Sequence, residues 1–134
     1  MATPPSGKLI GATAYDGGVE LRVWAPHAKA VSVAGELAGA GDARRPLALE
    51  AGTGMFAARI DGARAGQRYH HVITTQDGSE VTRVDPRARM IDGNESVVVD
   101  PRTYAWKSKP FTPSARDASV VYELPATASV VLGP

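Results

Sequence analysis

Glycine and proline interrupt this 134-residue chain so often that a helix of ordinary length has no room to form. The 14 Gly and 10 Pro are spread along it, and each alanine-rich stretch is broken before three helical turns could close. The runs between the interruptions are short and alternate between apolar and polar residues. Val19, Leu21 and Val23 fall on one face of residues 19–24, and Val31 and Val33 on one face of 30–34. Leu47 pairs with Leu49, Phe56 with Ala58 and Ile60, and Tyr69 with His71 and Ile73. This period of two predicts half-buried strands. Val81 marks another run at 80–84, while 96–99 and 120–124 are continuous apolar runs expected to be strands buried on both faces or at a seam.

The turn chemistry falls between these runs. Asp16-Gly17-Gly18 precedes the first of them, and Asp61-Gly62 and Ala65-Gly66 bracket a connection between two others. Asp77-Gly78 predicts a tight hairpin with both central residues at positive φ. Residues 38–43 (Ala-Gly-Ala-Gly-Asp-Ala) read as a mobile loop. Seven or eight short strands with evenly spaced turns predict an all-β fold, an immunoglobulin-like antiparallel β-sandwich. The expected organisation is a flexible N-terminus at 1–8, a sandwich module at 9–100, a linker at 101–119 and a final segment at 120–134. That last segment would be an orphaned strand followed by a divergent tail.

Composition narrows the chemistry. The chain has no Cys, so disulfides and thiolate sites are excluded, and its three His show no metal-ligand spacing. No cofactor is expected. Residues 1–67 carry seven basic and six acidic side chains and residues 68–134 carry eight of each. No basic face is expected from this balance, which argues against nucleic acid or an anionic membrane as partner. No apolar run reaches bilayer-spanning length, and Met1 to Ser6 lack the pattern of a secretory signal, so a cytoplasmic protein is expected. The acidic residues are scattered through turns, and no Ser, Thr or His forms a recognisable nucleophilic constellation. No catalytic residue is expected on this chain.

Five motifs in order carry a family resemblance. Residues 23–35 (Val-Trp-Ala-Pro-His-Ala-Lys-Ala-Val-Ser-Val-Ala-Gly) are similar to the opening of the N-terminal early-set domain of α-glucan-active enzymes in the α-amylase superfamily, glycoside hydrolase family 13. These enzymes include glycogen branching and debranching enzymes and trehalohydrolases. Gly66-Gln67-Arg68-Tyr69-His70-His71, Asp85-Pro86-Arg87-Ala88-Arg89, residues 96–106 and Val120-Val121-Tyr122-Glu123-Leu124 resemble the later motifs of that family. The resemblance implies a carbohydrate-binding module of family 48, non-catalytic itself, set ahead of a catalytic barrel that this chain lacks. It implies an α-glucan as ligand and a barrel, in cis or trans, as partner.

The resemblance also locates the candidate site. Family members that hold glucan stack a Trp on the sugar, and that Trp falls here at about Ala40; a Lys that follows the family's Tyr is replaced by His70. Glycan binding is therefore expected to be weak or lost. The residues that would still meet a glycan are His70 and Trp24, the latter with packing at an inter-domain seam as its other reading. Trp106 would pack the linker on the sandwich. Arg83, Arg87 and Arg89 would form a solvated edge, His71 would lie at the core edge, and Asp85 would cap a turn. Two other functions remain open. One is a stand-alone protein–protein interaction domain using the strand edge at 120–124; the other is a truncated enzyme fragment without a function of its own.

Overall fold

The computed structural model describes residues 9–123. The chain divides into two units, Met1–Tyr104 and Ala105–Pro134. The first is all-β. Its nine strands are β1 (Gly11–Tyr15), β2 (Gly18–Trp24), β3 (Ala30–Ala34), β4 (Arg44–Glu50), β5 (Met55–Asp61), β6 (Arg68–Thr74), β7 (Glu80–Arg83), β8 (Met90–Asp92) and β9 (Glu95–Val97). Every pairing is antiparallel, in the order β1-β2-β5-β4-β3-β6-β9-β8, with β7 also on β6.

The hinge of this arrangement is β4. Arg44–Leu47 pairs with β3, whereas Ala48–Glu50 pairs with β5. One strand thus serves two sheets, and the strand path curls into a sandwich of immunoglobulin-like type. The inward faces are those expected from the alternation. Val19, Leu21, Val23, Phe56 and Ile60 from the first sheet meet Val31, Val33, Leu47 and Tyr69 from the second in one buried cluster.

Several expectations need correction. Leu49 is 57% exposed, although Leu47 is buried. The crossing of β4 between sheets falls between them, so the period of two does not carry through. Strands β1 and β8 were not expected from the sequence. β1 is Ala- and Gly-rich, with little apolar signal, and β8 is only three residues long with every residue exposed. The segment at 38–43 does not begin as a free loop, because Ala38 is part of the core and its carbonyl accepts from Arg45 Nε at 3.2 Å. The Asp77-Gly78 hairpin is not a two-residue turn. The ladder stops at Thr74–Glu80, Thr75 N–H donates to the Ser79 carbonyl, and only Gly78 takes positive φ. Asp77 works through its side chain instead, accepting from the Thr75 hydroxyl and from the Ser79 N–H and hydroxyl. These bonds, that from Thr75 first, hold its carboxyl at about 2.

The sandwich is closed off by a 3-10 turn at Pro101–Thr103, capped by Asp100. Arg102 bonds the Asp100 carboxylate through its backbone N–H and guanidinium, and reaches Asp16 in the β1–β2 turn at 3.1 Å. The Arg102 side chain holds the Asp100 carboxyl below the usual range.

In the second unit the described residues contain one 3-10 turn, Arg116–Ala118, and no strand. The strand expected at 120–124 is absent from 120–123, where Val120 is 96% exposed, and Leu124 lies outside the described residues. A strand requires a neighbouring ladder, and no described strand pairs with this run. The expectations for 1–8 and 125–134 also fall outside the described residues. No described helix is long and apolar enough to cross a membrane.

Candidate functional site

Two outward sheet faces carry the residues singled out from the sequence. On the second sheet, the cross-strand pairings align Ala34 with His70, Ser32 with Val72, and Ala30 with Thr74, extended by Thr82 and Glu80 of β7. Arg44 and Pro46 of β4 lie opposite Ala34 and Ser32. His70 is partly exposed there, with Nδ1 3.3 Å from Glu95 Oε1. Charged groups gather at the same end: Arg68 pairs with Asp92, and its N–H donates to Glu36 at 2.9 Å. The face offers donors and acceptors, and among the described residues that the pairings place on it the His70 imidazole is the one aromatic ring.

Trp24 belongs to the other sheet. It ends β2, where Pro26 turns the chain, and it is 62% exposed beside Gly54. Its cross-strand row continues through Met55 to Glu50. Arg22, two residues back on the same outward face, makes a two-pronged bond to Glu50 at 2.6 and 3.1 Å and is only 7% exposed. The pair leaves no trace in the alternation, since an Arg on the outward side of an alternating strand reads as solvated. Trp24 and His70 therefore belong to different sheets, and the fold does not bring them into one site.

The Asp-Pro motif sits on a buried polar cluster. Asp85 is 2% exposed, and Tyr69, His71 and Ser96 around it are buried as fully. The Tyr69 hydroxyl donates to Asp85 Oδ2 at 2.7 Å, and Arg87 N–H donates to Oδ1 at 2.8 Å. Asp85 N–H in turn donates to Ser96 Oγ at 2.8 Å. The carboxylate thus caps its turn, as expected, and also ties β6 and β9 to it. Burial pushes the Asp85 carboxyl up, but His71, the Tyr69 hydroxyl and the Arg87 N–H together bring it below its ordinary value. Burial first, and then the bond to Asp85, raise the Tyr69 hydroxyl well above its usual range. His71 lies fully in the core rather than at its edge. Its Nε2 is 3.9 Å from Asp85 Oδ2, too long for a hydrogen bond, and neither ring nitrogen has a hydrogen-bond partner. Tyr69 packs edge-on against its ring. The cluster ties the fold together and its four side chains are buried from solvent.

Arg83, Arg87 and Arg89 are exposed, and Arg89 reaches across to the Ala12 carbonyl at 3.2 Å. Trp106 lies in the second unit. Among the described residues, no group of His, Asp or Glu could hold a metal ion.

Comparison with known proteins agrees with this geometry. The family model for carbohydrate-binding module 48 (isoamylase N-terminal domain) matches residues 9–88. The chain is 39% identical over 102 residues to the 1,4-alpha-glucan branching enzyme GlgB of Corynebacterium jeikeium, covering 74% of this chain and 14% of that enzyme. It is 36% identical over 92 residues to the GlgB of Marinobacter nauticus, covering 66% of this chain and 15% of the enzyme. The chain thus spans about one seventh of the length of these relatives. Among solved structures it resembles Klebsiella pneumoniae pullulanase complexed with maltotriose, with a TM-score of 0.61 and 26% identity over 70% of this chain and 10% of that one. It also resembles a putative alpha amylase from Salmonella typhimurium, with a TM-score of 0.62 and 28% identity over 79% of this chain and 17% of that one. With more than half of its length matched by the family model and an early-set type of sandwich beneath the match, this chain belongs to the carbohydrate-binding module 48 family.

Proposed function

We propose that this chain is a non-catalytic module of an α-glucan-acting enzyme of glycoside hydrolase family 13, with weak or lost glycan binding, and that it packs on or positions a catalytic barrel. The observation that carries the reading is the composition of the second sheet's outward face. Sugars offer C–H surfaces to flat rings, and aromatic side chains supply much of the affinity in sites of this kind. Here Ala30, Ser32, Ala34, Val72 and Thr74 occupy the centre of the face, and His70 is its one ring. Ala40, where the family's stacking Trp falls, is exposed in the β3–β4 connection and has only a methyl group to offer. The positioning role draws support from the other sheet, where exposed Trp24 adjoins buried Met55 and the Arg22–Glu50 pair. The full-length relatives are named as enzymes acting on 1,4-alpha-glucan, which gives the ligand class.

Calorimetric titration of the chain with maltoheptaose tests this reading. The expected result is no saturable heat, or a dissociation constant weaker than about 1 mM. A sub-micromolar constant would overturn it.

A further inference from the structure

An ion pair crosses the outward face of the second sheet. Arg44 opens β4 and Glu80 opens β7, and β3 and β6 lie between these two strands. The register sets the pair at opposite ends of the face. Arg44 belongs to the row of Ala34 and His70, and Glu80 to the row of Thr74 and Ala30. Three strand spacings, about 14 Å, separate β4 from β7. Yet Arg44 Nη1 stands 2.9 Å from each oxygen of the Glu80 carboxylate. Side chains so placed meet by extending toward each other over the face, above the middle row of Ser32 and Val72.

The burial of Val72 fits such a cover. Its register points it outward, between Ser32 and Thr82, and it is not part of the inward core cluster. It is nevertheless only 5% exposed. Ser32 and Thr82 are short side chains that do not roof it over. The Arg44 stem, reaching toward Glu80, supplies apolar cover while its head stays in water. Both members of the pair are about half exposed. An ion pair so exposed contributes little net free energy and opens at small cost.

We propose that the Arg44–Glu80 pair is a clasp that closes this face to an α-glucan chain, and that the glucan lies on Ser32, Val72 and His70 when the pair parts. Opening bares Val72 as an apolar floor and frees guanidinium donors and carboxylate acceptors for sugar hydroxyls. The proposal rests on the reading that glucan is the ligand class of this face, and it adds a second cause of weak binding to the absent ring. It also carries an unusual signature. A neutral ligand that must break an ion pair binds more tightly as salt screens that pair.

The test compares the native chain, Glu80→Gln, and the charge swap that combines Arg44→Glu with Glu80→Arg. Each is titrated with maltoheptaose at millimolar concentrations and followed by amide and methyl spectra, in about 0.05 M and about 0.5 M salt. A soluble gadolinium chelate reads the exposure of the Val72 methyl groups without ligand. Glu80→Gln is expected to bare those methyls and to show saturable shifts at Ser32, His70 and Val72. Its affinity should exceed the native one by about two- to fivefold, the range an exposed pair supplies. Salt should tighten native binding and leave Glu80→Gln unchanged, and the swap should behave as native in every readout. The substituted side chains are exposed, so retained spectral dispersion shows that the variants fold. Val72 equally protected in Glu80→Gln, no saturable shift or no gain in that variant, a salt response shared with it, or a swap that stays open would each overturn the clasp and leave the weak-binding reading standing. Sub-micromolar binding by the native chain would overturn both, because a closed face does not bind so tightly.

Discussion

Asp85→Ala is expected to destabilise the sandwich by about 2–4 kcal/mol, lowering its melting temperature by on the order of 15 °C. The carboxylate accepts from the Tyr69 hydroxyl and the Arg87 N–H in a site closed to water. Removing it leaves a buried hydroxyl and a backbone donor without their acceptor, and each such orphan carries its full desolvation cost. Asp85→Asn keeps the size and one acceptor oxygen and should lose about half as much. The pH dependence has a definite sign. The folded carboxyl lies below its unfolded value, so its contribution is complete above the unfolded carboxylate range near pH ~4 and is lost as pH falls through the lower folded value. Urea unfolding at pH 7 and in acid checks both points. The native protein should lose stability in acid more steeply than Asp85→Asn, whereas equal slopes, or an Asp85→Ala variant within about 0.5 kcal/mol of native, would contradict the role given to this cluster.

Gly35→Ala is expected to cost a similar amount, about 2–4 kcal/mol, for a different reason. Gly35 ends β3 at φ +95°, and a Cβ there would stand 2.9 Å from the Arg68 carbonyl oxygen and 3.1 Å from Tyr69 Cα. Both obstacles are backbone of β6, so relief requires β6 to move away from β3 where Tyr69 anchors the core. Gly66→Ala separates the two contributions. Gly66 has φ +90° but nothing within 4 Å of the added carbon, so it should show only the backbone strain, about 1–2 kcal/mol. Equal losses in the two variants, measured by urea unfolding, would show that the contact with β6 contributes nothing.

The parts of the fold that the sequence made legible are those where one face is buried and one is wet. Val19, Leu21 and Val23 share a face because burial of one side imposes a period of two, and that period survives in the residue order. The same logic failed at Leu49, where a strand changes sheets, and at β1 and β8, whose short or small side chains carry no periodic signal. At Asp77 the dipeptide marked the turn but not its geometry, since an Asp side chain can complete a loop by accepting hydrogen bonds without positive φ. The run at 120–123 is apolar enough for a strand, but a strand is a property of two segments and the run supplies one.

The site was less legible for a related reason. Asp85 announced itself through Asp-Pro, yet its partners Tyr69, His71 and Ser96 come from β6 and β9 and converge only on folding. The expectation that the family's stacking ring is missing at about Ala40 rests on a motif position rather than on tertiary contact.

The most direct test puts a ring at Ala40, in the β3–β4 connection, where the family resemblance sets the stacking Trp. Ala40→Trp and the native chain would be titrated with maltoheptaose under the same conditions. The account predicts that the variant gains saturable binding at least about tenfold tighter than native, the range a single stacked ring supplies. Tight binding by the native chain, or no gain in the variant while it remains folded, would contradict the claim that this module lost its grip on glucan with that side chain.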